Sequence, residues 1–247
     1  DAALCYTSGT TGNPKGVMYT HRSTVLHAMA AAQYNALNIT PDTILLPVVP
    51  MFHVNAWGTP YAATMMGAKL VLPAHGMDGA SLYELINGEQ ANLLLGVPTV
   101  WLGLLNYLDS INAKLDSVKN VVVGGSAAPL SMIKAFQEKH DAFLIHAWGM
   151  TELSPLGTVN SMTRNMAALP LEQRYQAQLK QGRPVYGVEI KIVDDAGKEL
   201  ARDGKAFGRL LVRGPWVVDS YYLNDEKKSF VDGWFDTGDV ADRKSVV

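Results

Sequence analysis

The chain has 247 residues, of which 48% are hydrophobic and 18% charged, and its formal net charge is -2. This length can bury a substantial core as one large domain or two modest ones, and the composition excludes a disordered chain. The charge balance excludes a basic field for nucleic acid and a polybasic membrane patch, while the single Cys5 excludes an internal disulfide framework and suits a reducing, cytoplasmic compartment.

The first distinctive element is "YTSGTTGNPKG", Tyr6 to Gly16. Its glycines let backbone amides turn inward, its hydroxyls add donors, and Lys15 adds one mobile positive charge, the composition of a phosphate-gripping loop. It departs from the common nucleotide loop, because counted from Gly9 the place of the second glycine is held by Pro14. A flexible Gly/Ser/Thr connector is the plain alternative. Ser23 is then placed to cap a helix over "TVLHAMAAAQYNAL". Strands are predicted at "TILLPVV", "AKLVLP", "NLLLGV", "NVVVGG" and "AFLIHAW", each bounded by Pro, Gly, Asn or Asp. Between them fall helices at "SLYELINGEQ", with Ser81 in its first turn, at "PTVWLGLLNYL" from Pro98, and at "PLSMIKAFQEK" near Pro129. Strands alternating with helices predict a layered α/β fold with a mostly parallel sheet and flanking helices. Ligands of such sheets collect at the carboxyl ends of the strands, where Gly124-Gly125-Ser126 and His146-Ala147-Trp148-Gly149 fall. The polar run Ser161 to Gln181 reads as a long surface connection. After about Gly182 the pattern changes: "VEIKIVDDAGKEL" reads as a strand, a turn at Asp195-Ala196-Gly197 and a return strand, and "GRLLVRGPWVV" adds more β pattern. Residues 1–182 are thus expected to form an α/β core and 183–247 a small β-rich subdomain. Leu93 to Leu105, the most apolar stretch, is too short for a bilayer and is broken by Gly96 and Pro98, so no membrane span is expected.

Four further clusters carry chemistry, each with a plain alternative. "GGSAAP" follows "VVV" at a strand–turn–helix junction. It is either a hydrolase elbow with Ser126 as nucleophile, one glycine short at Ala128 and with His140 and His146 downstream, or a wall of small residues against a flat ligand. In "HAWGMTELSP" the adjacent Thr151 and Glu152 suit a phosphate oxygen and its Mg²⁺, or simply begin a helix. "DGWFDTGD" ends in Asp239, which can accept from neighbouring ribose hydroxyls or serve as a turn residue. "PMFHVNAWG" walls an apolar slot or packs in the core. The six histidines lack metal-ligand spacing, so no histidine metal site is expected.

Taken in order, "YTSGTTGNPKG", "GGSAAP", "WGMTE" and "DGWFDTGD" resemble the adenylate-forming superfamily of acyl-CoA synthetases, luciferases and nonribosomal adenylation domains. "PMFHVNAWGTPYAATMMGAKLVLP" is similar to its medium- and long-chain fatty acyl-CoA synthetase branch. The resemblance implies ATP-dependent activation of a fatty acid to an acyl-adenylate, followed by thioester formation with coenzyme A, in an AMP-forming ligase using ATP and Mg²⁺. It implies ATP phosphates on Thr7, Ser8, Gly9, Thr10, Thr11, Gly12 and Lys15, and adenine or acyl contacts on Gly125, Ser126 and Ala127. On that resemblance Ala147, Trp148 and Gly149 would form the turn under the adenine and the substrate carboxylate, Trp148 standing where Tyr is usual in the family. Thr151 is expected to contact the α-phosphate, Glu152 to ligate Mg²⁺, and Asp239 to take the ribose. His53 is expected beside the acyl carboxylate, and Trp57 as the gate of the acyl tunnel. Apolar "FHVNAWG", "LLLGVPTVWLGLL", Met65 and Met66 are expected to line the acyl pocket. By the same resemblance the chain is expected to be a fragment, without the N-terminal part and the C-terminal lid domain, weak or inert alone and prone to self-association; a homodimer of the full-length parent remains open. The alternatives are a non-catalytic nucleotide-binding fragment and an α/β serine hydrolase using Ser126.

Overall fold

The computed structural model describes residues 1–7, 13–223 and 229–244. It begins with a hairpin, β1 (Ala3–Thr7) antiparallel to β2 (Lys15–Tyr19), and continues into α1 (His21–Ala32). Strands and helices then alternate: β3 (Ile44–Pro47), the short turn α2 (Val54–Trp57), α3 (Thr59–Met66), β4 (Lys69–Leu70), α4 (Gly79–Glu89), β5 (Leu93–Gly96), α5 (Pro98–Ile111), β6 (Asn120–Val123), α6 (Leu130–His140) and β7 (Phe143–Gly149). After β8 (Leu156–Val159) come α7 (Arg164–Ala167), α8 (Leu171–Gln178) and β9 (Arg183–Pro184). The chain ends in β10 (Glu189–Val193), β11 (Asp203–Arg213), β12 (Phe230–Val231) and β13 (Trp234–Lys244).

The central sheet is seven-stranded in the order β4-β3-β5-β6-β7-β8-β9. It is parallel from β4 through β7, and antiparallel where β8 and β9 join. Its strands are continuous apolar runs because both faces are covered. Leu94, Val121, Val123 and Leu144 face a cluster with Trp101, Leu104 and Phe136 of α5 and α6. The alternate residues Leu93, Leu95, Val122 and Ile145 face Ala28, Ala31 and Ala62 of α1 and α3, as the two-residue period of a strand requires. A four-stranded antiparallel sheet, β10-β11-β13-β12, packs with the N-terminal hairpin around Val17, Tyr19, Val212 and Phe235. The architecture is therefore α/β with a mostly parallel sheet and a C-terminal β subdomain. Among the described residues no helix is long and apolar enough to cross a membrane.

Several local expectations change. The cap of α1 is Thr20, not Ser23: Thr20 Oγ1 accepts from Ser23 N, and Ser23 Oγ accepts from Thr20 N, each at 3.0 Å. This reciprocal box starts the helix earlier, with Ser23 inside its first turn. Asp78 caps α4, its Oδ1 accepting from Ala80 N and Ser81 N. The run Ser161 to Gln181 is not a plain surface connection. It holds α7 and α8, whose Tyr175 is fully buried and donates to Glu138, while Gln178 Nε2 donates to Leu144 O at 3.1 Å. The segment after the turn at Asp195-Ala196-Gly197 returns only as an isolated bridge between Val193 and Glu199, and the partner of β10 is β11.

His27 on α1 is buried, accepts from Leu156 N at its Nε2 (3.2 Å) and meets the Trp216 ring edge-on. Burial lowers its pKa from 6.5 to about 4. The folded chain thus refuses a proton that the unfolded chain accepts, so this stability is complete above pH ~6.5 and is lost as pH falls toward about 4. At about 1.4 kcal/mol per pKa unit the loss reaches roughly 3 kcal/mol. The thermal midpoint is expected to drop between pH 7 and pH 4, and His27→Gln to flatten that drop. A variant with the parental pH slope removes His27 as its source.

Candidate functional site

A cavity of about 550 Å³ opens at the carboxyl ends of the parallel strands, between the central sheet and the C-terminal β subdomain. Thr7 and Lys15 of the hairpin, Gly124 and Gly125 after β6, Ala147 to Glu152 at the end of β7 and just past it, Tyr221, and Asp236 to Gly238 of β13 all reach it.

The turn after β7 is the tightest part of this wall. β7 and β8 are antiparallel with a register shift between Trp148 and Gly149. A Cβ on Gly149 would sit 2.0 Å from Pro155 O, so only glycine lets the two backbones meet there. The chain then turns through a short 3₁₀ segment, Thr151–Leu153, with Met150 N donating to Pro155 O at 3.1 Å. Thr151 and Glu152 are 7% and 5% exposed. Each is held by a tyrosine: Tyr19 Oη donates to Thr151 O at 2.6 Å and Tyr221 Oη to Glu152 Oε1 at 2.7 Å. Burial, with the neighbouring Cys5 and Glu152, pushes the Tyr19 phenol far above its usual pKa, so it remains a donor. Val218 N also donates to Glu152 O at 2.9 Å, clamping the segment before Tyr221 onto the turn.

Trp148 spans the cavity wall. Its Nε1 donates to Asp239 Oδ2 at 3.0 Å, joining β7 to β13. The indole lies against Gly157, where a Cβ would come within 2.5 Å of it. Asp239 is set by a compact turn in which its own N donates to Thr237 Oγ1, Gly238 N donates to Asp236 Oδ1, and Asp236 pairs with Arg209. On the opposite side Val54, Asn55, Ala56 and Trp57 all adopt left-handed backbone, with φ of 50, 51, 49 and 60°. For the β-branched Val54 that conformation is costly. It brings Trp57 against Gly124, where a Cβ would lie 2.9 Å from the indole.

Of the residues singled out from sequence, the cavity brings together Thr7, Lys15, His53, Trp57, Gly125, Ala147, Trp148, Gly149, Thr151 and Glu152, with Asp239 bonded at its edge. Ser8, Gly9, Thr10, Thr11 and Gly12 lie outside the described residues. Ser126 and Ala127 are exposed just beyond Gly125 and are not among the lining residues. The hydrolase constellation does not form. His146 is buried as a strut whose Nε2 accepts from Ala128 N at 2.7 Å and whose Nδ1–H donates to Gln178 O at 2.8 Å. Both ring nitrogens are thereby committed to backbone, and burial holds its pKa below the usual value. His140 ends α6, ahead of the start of β7, and is not among the residues lining the cavity.

The apolar end of the cavity matches expectation in part. It takes Val54 and Trp57 from "FHVNAWG" and Leu95 from "LLLGVPTVWLGLL", and adds Ala31, Leu37, Val122 and Leu156. Met65 is 41% exposed, and Trp101 and Leu104 pack on the far face of the sheet. Sequence reasoning missed Ala31, Leu37 and Tyr221. Ala31 and Leu37 look like any buried helix face, and no local pattern marks Tyr221.

For a divalent cation the residues fit the few-ligand type. Glu152 is a single buried carboxylate beside a hydroxyl, and no group of three or more His, Cys, Asp or Glu gathers among the described residues. Mg²⁺ sites of this kind complete their shell with water and substrate phosphates.

A family model described as AMP-binding enzyme matches residues 1–222. Similar curated proteins include a medium-chain-fatty-acid–CoA ligase of Ectopseudomonas oleovorans, 54% identical over 97% of this chain and 44% of its own length. A 3-methylmercaptopropionyl-CoA ligase of Ruegeria pomeroyi is 50% identical over the same shares. Among solved structures, an o-succinylbenzoate coenzyme A synthetase of Bacillus subtilis in complex with ATP and magnesium aligns with a TM-score of 0.81 at 28% identity, over 96% of this chain and 46% of that one. The chain spans less than half the length of these relatives.

Proposed function

Because the chain belongs to the AMP-binding enzyme family, we propose that the protein it represents activates a fatty acid with ATP and passes the acyl group to coenzyme A. The observation that carries this reading is one cavity with a polar rim, Lys15, Thr151, Glu152 and Asp239, and a wholly apolar far end. In the proposed reaction a carboxylate oxygen attacks the α-phosphorus of ATP, the bond to the β-phosphate breaks, and pyrophosphate leaves as the acyl-adenylate forms. The thiol of coenzyme A then displaces AMP to give the thioester. No covalent enzyme intermediate is required, so the protein contributes positioning and charge.

Each residue has a task in that scheme. Thr7 and Lys15 receive phosphate oxygens together with the loop between them. Trp148 offers a flat face to the adenine, with Ala147 and Gly149 beneath it and Gly125 and its neighbours Ser126 and Ala127 opposite. Asp239 accepts from the ribose hydroxyls, and Thr151 donates to the α-phosphate. Glu152 would hold Mg²⁺, which when bound neutralises phosphate charge. His53 and Trp57 stand at the entrance to the apolar end, which the acyl chain fills. Residues 1–182 serve as the adenylating core and 183–247 as the β-rich wall. A cytoplasmic setting suits the single buried Cys5.

The test is acid-dependent pyrophosphate release by the full-length parent across a chain-length series that includes a short thioether acid, with the 247-residue chain run beside it and expected to be weak or inert. Medium-length apolar acids are expected to give the highest kcat/KM. A maximum at short polar acids rejects the fatty acyl assignment.

A further inference from the structure

Tyr221 touches both charged groups that the proposed reaction places on the phosphate side of the cavity. Its hydroxyl donates to Glu152 Oε1 at 2.7 Å, and its ring lies 4.8 Å below Lys15 Nζ. The side chain is buried, lines the cavity, and is braced edge-on by Phe230 and Phe235 at 5.7 and 6.4 Å between centroids. Its backbone is braced as well: Tyr222 N donates to Gly16 O at 2.8 Å, next to Lys15, and Val218 N donates to Glu152 O. The strand hairpin carrying the lysine and the turn carrying the glutamate are thus clipped to one segment, with Tyr221 between them.

Resting on the reading above, we infer that Tyr221 is a positioning residue that orients the Glu152 carboxylate for a divalent cation and seats the Lys15 ammonium over the nucleotide phosphates. The chemistry is specific. A carboxylate that is 5% exposed needs a donor to hold one rotamer, and the phenol supplies it at one oxygen, which leaves the other for the metal. The aromatic face adds a cation–π contact that holds the flexible lysine stem in place. One side chain therefore sets the spacing of a positive and a negative group that must act on the same triphosphate, and it does so without reacting itself.

The two arms separate by substitution in the full-length protein. Tyr221→Phe keeps the ring and loses only the hydrogen bond; Tyr221→Leu loses both. The probe is Mn²⁺ followed by electron paramagnetic resonance in the presence of α,β-methylene-ATP, which reads binding rather than turnover. Tyr221→Phe is expected to weaken Mn²⁺ about tenfold, the range typical of outer-sphere partners, while metal-free nucleotide binds as in the parent. Tyr221→Leu is expected to weaken both. In Glu152→Gln, adding Tyr221→Phe changes Mn²⁺ affinity no further, because the hydroxyl acts through that carboxylate. A 3-fluorotyrosine at 221, which keeps fold and hydroxyl, is expected to show a ¹⁹F shift when Mg²⁺ is added to the nucleotide complex. Parental Mn²⁺ affinity in Tyr221→Phe, or a silent ¹⁹F signal, overturns the inference and leaves the ligase reading intact. No nucleotide-dependent Mn²⁺ signal in the parent overturns both.

Discussion

If the proposed ligase reading holds, Glu152→Ala is expected to lower fatty-acid-dependent ATP–pyrophosphate exchange in the full-length protein by about 10²–10³-fold, the range for removing one preorganised charge-stabilising group. The argument starts from burial. A carboxylate 5% exposed and bonded to the Tyr221 phenol is retained at a cost in desolvation, and it stands beside Thr151 on the turn that lines the strand-end cavity. Without it the reacting phosphate loses the carboxylate that would anchor its counter-cation. Folding suffers less, because what is lost there is one hydrogen bond from the Tyr221 phenol, a loss of about 1–3 kcal/mol. Exchange rate and thermal midpoint measured on the same preparation separate the two effects. Unchanged exchange with unchanged Mg²⁺ dependence would remove Glu152 from the reaction.

The second large effect is structural. Gly149→Ala is expected to destabilise the chain by on the order of 3–5 kcal/mol, at the upper end for a single substitution. The added methyl would stand 2.0 Å from Pro155 O and 2.8 Å from Pro155 C, both backbone atoms, so no side chain can move aside. The only relief is to part β7 from β8, which displaces Thr151 and Glu152 with them. Gly88→Ala in α4 is the control: nothing lies within 4 Å of its added Cβ, and alanine is the better helix former by about 1 kcal/mol. Urea unfolding should rank the two variants on opposite sides of the parent. Equal midpoints for both would mean that the close approach at Gly149 is not real.

What the sequence made legible follows from which forces act locally. The central strands were readable because a parallel sheet buried on both faces needs unbroken apolar runs, and "NLLLGV" and "NVVVGG" supply them. Helices α4, α5 and α6 were readable to within a turn, with Pro98 and Pro129 marking starts, whereas α1 stops at Ala32 rather than running to Leu37 and α3 was not read from the sequence. The cap of α1 was misread because Ser23 and Thr20 both belong to one box, and the residue nearer the apolar run is the wrong end of it. The pair α7 and α8 escaped because its composition is polar and its anchoring runs through two side chains, Tyr175 and Gln178, hydrogen-bonded to distant partners. For the site, the ordered turns were legible as motifs, and the cavity gathers most of them. Tyr221 was not: its meaning lies in a contact with a residue 69 positions away, which no local period encodes. The left-handed run from Val54 to Trp57 was equally hidden, since nothing but the surrounding fold favours Val or Trp there.

The bond from Trp148 to Asp239 crosses a seam between two separately cored bodies, and Trp57 packs against the cores on both sides of it. Whatever sits in that seam is gripped by two jaws rather than by one surface. Its grip therefore depends on how firmly the jaws are hinged, and substitutions deep in either core, touching no ligand, are expected to register as a loosened hold on the proposed nucleotide.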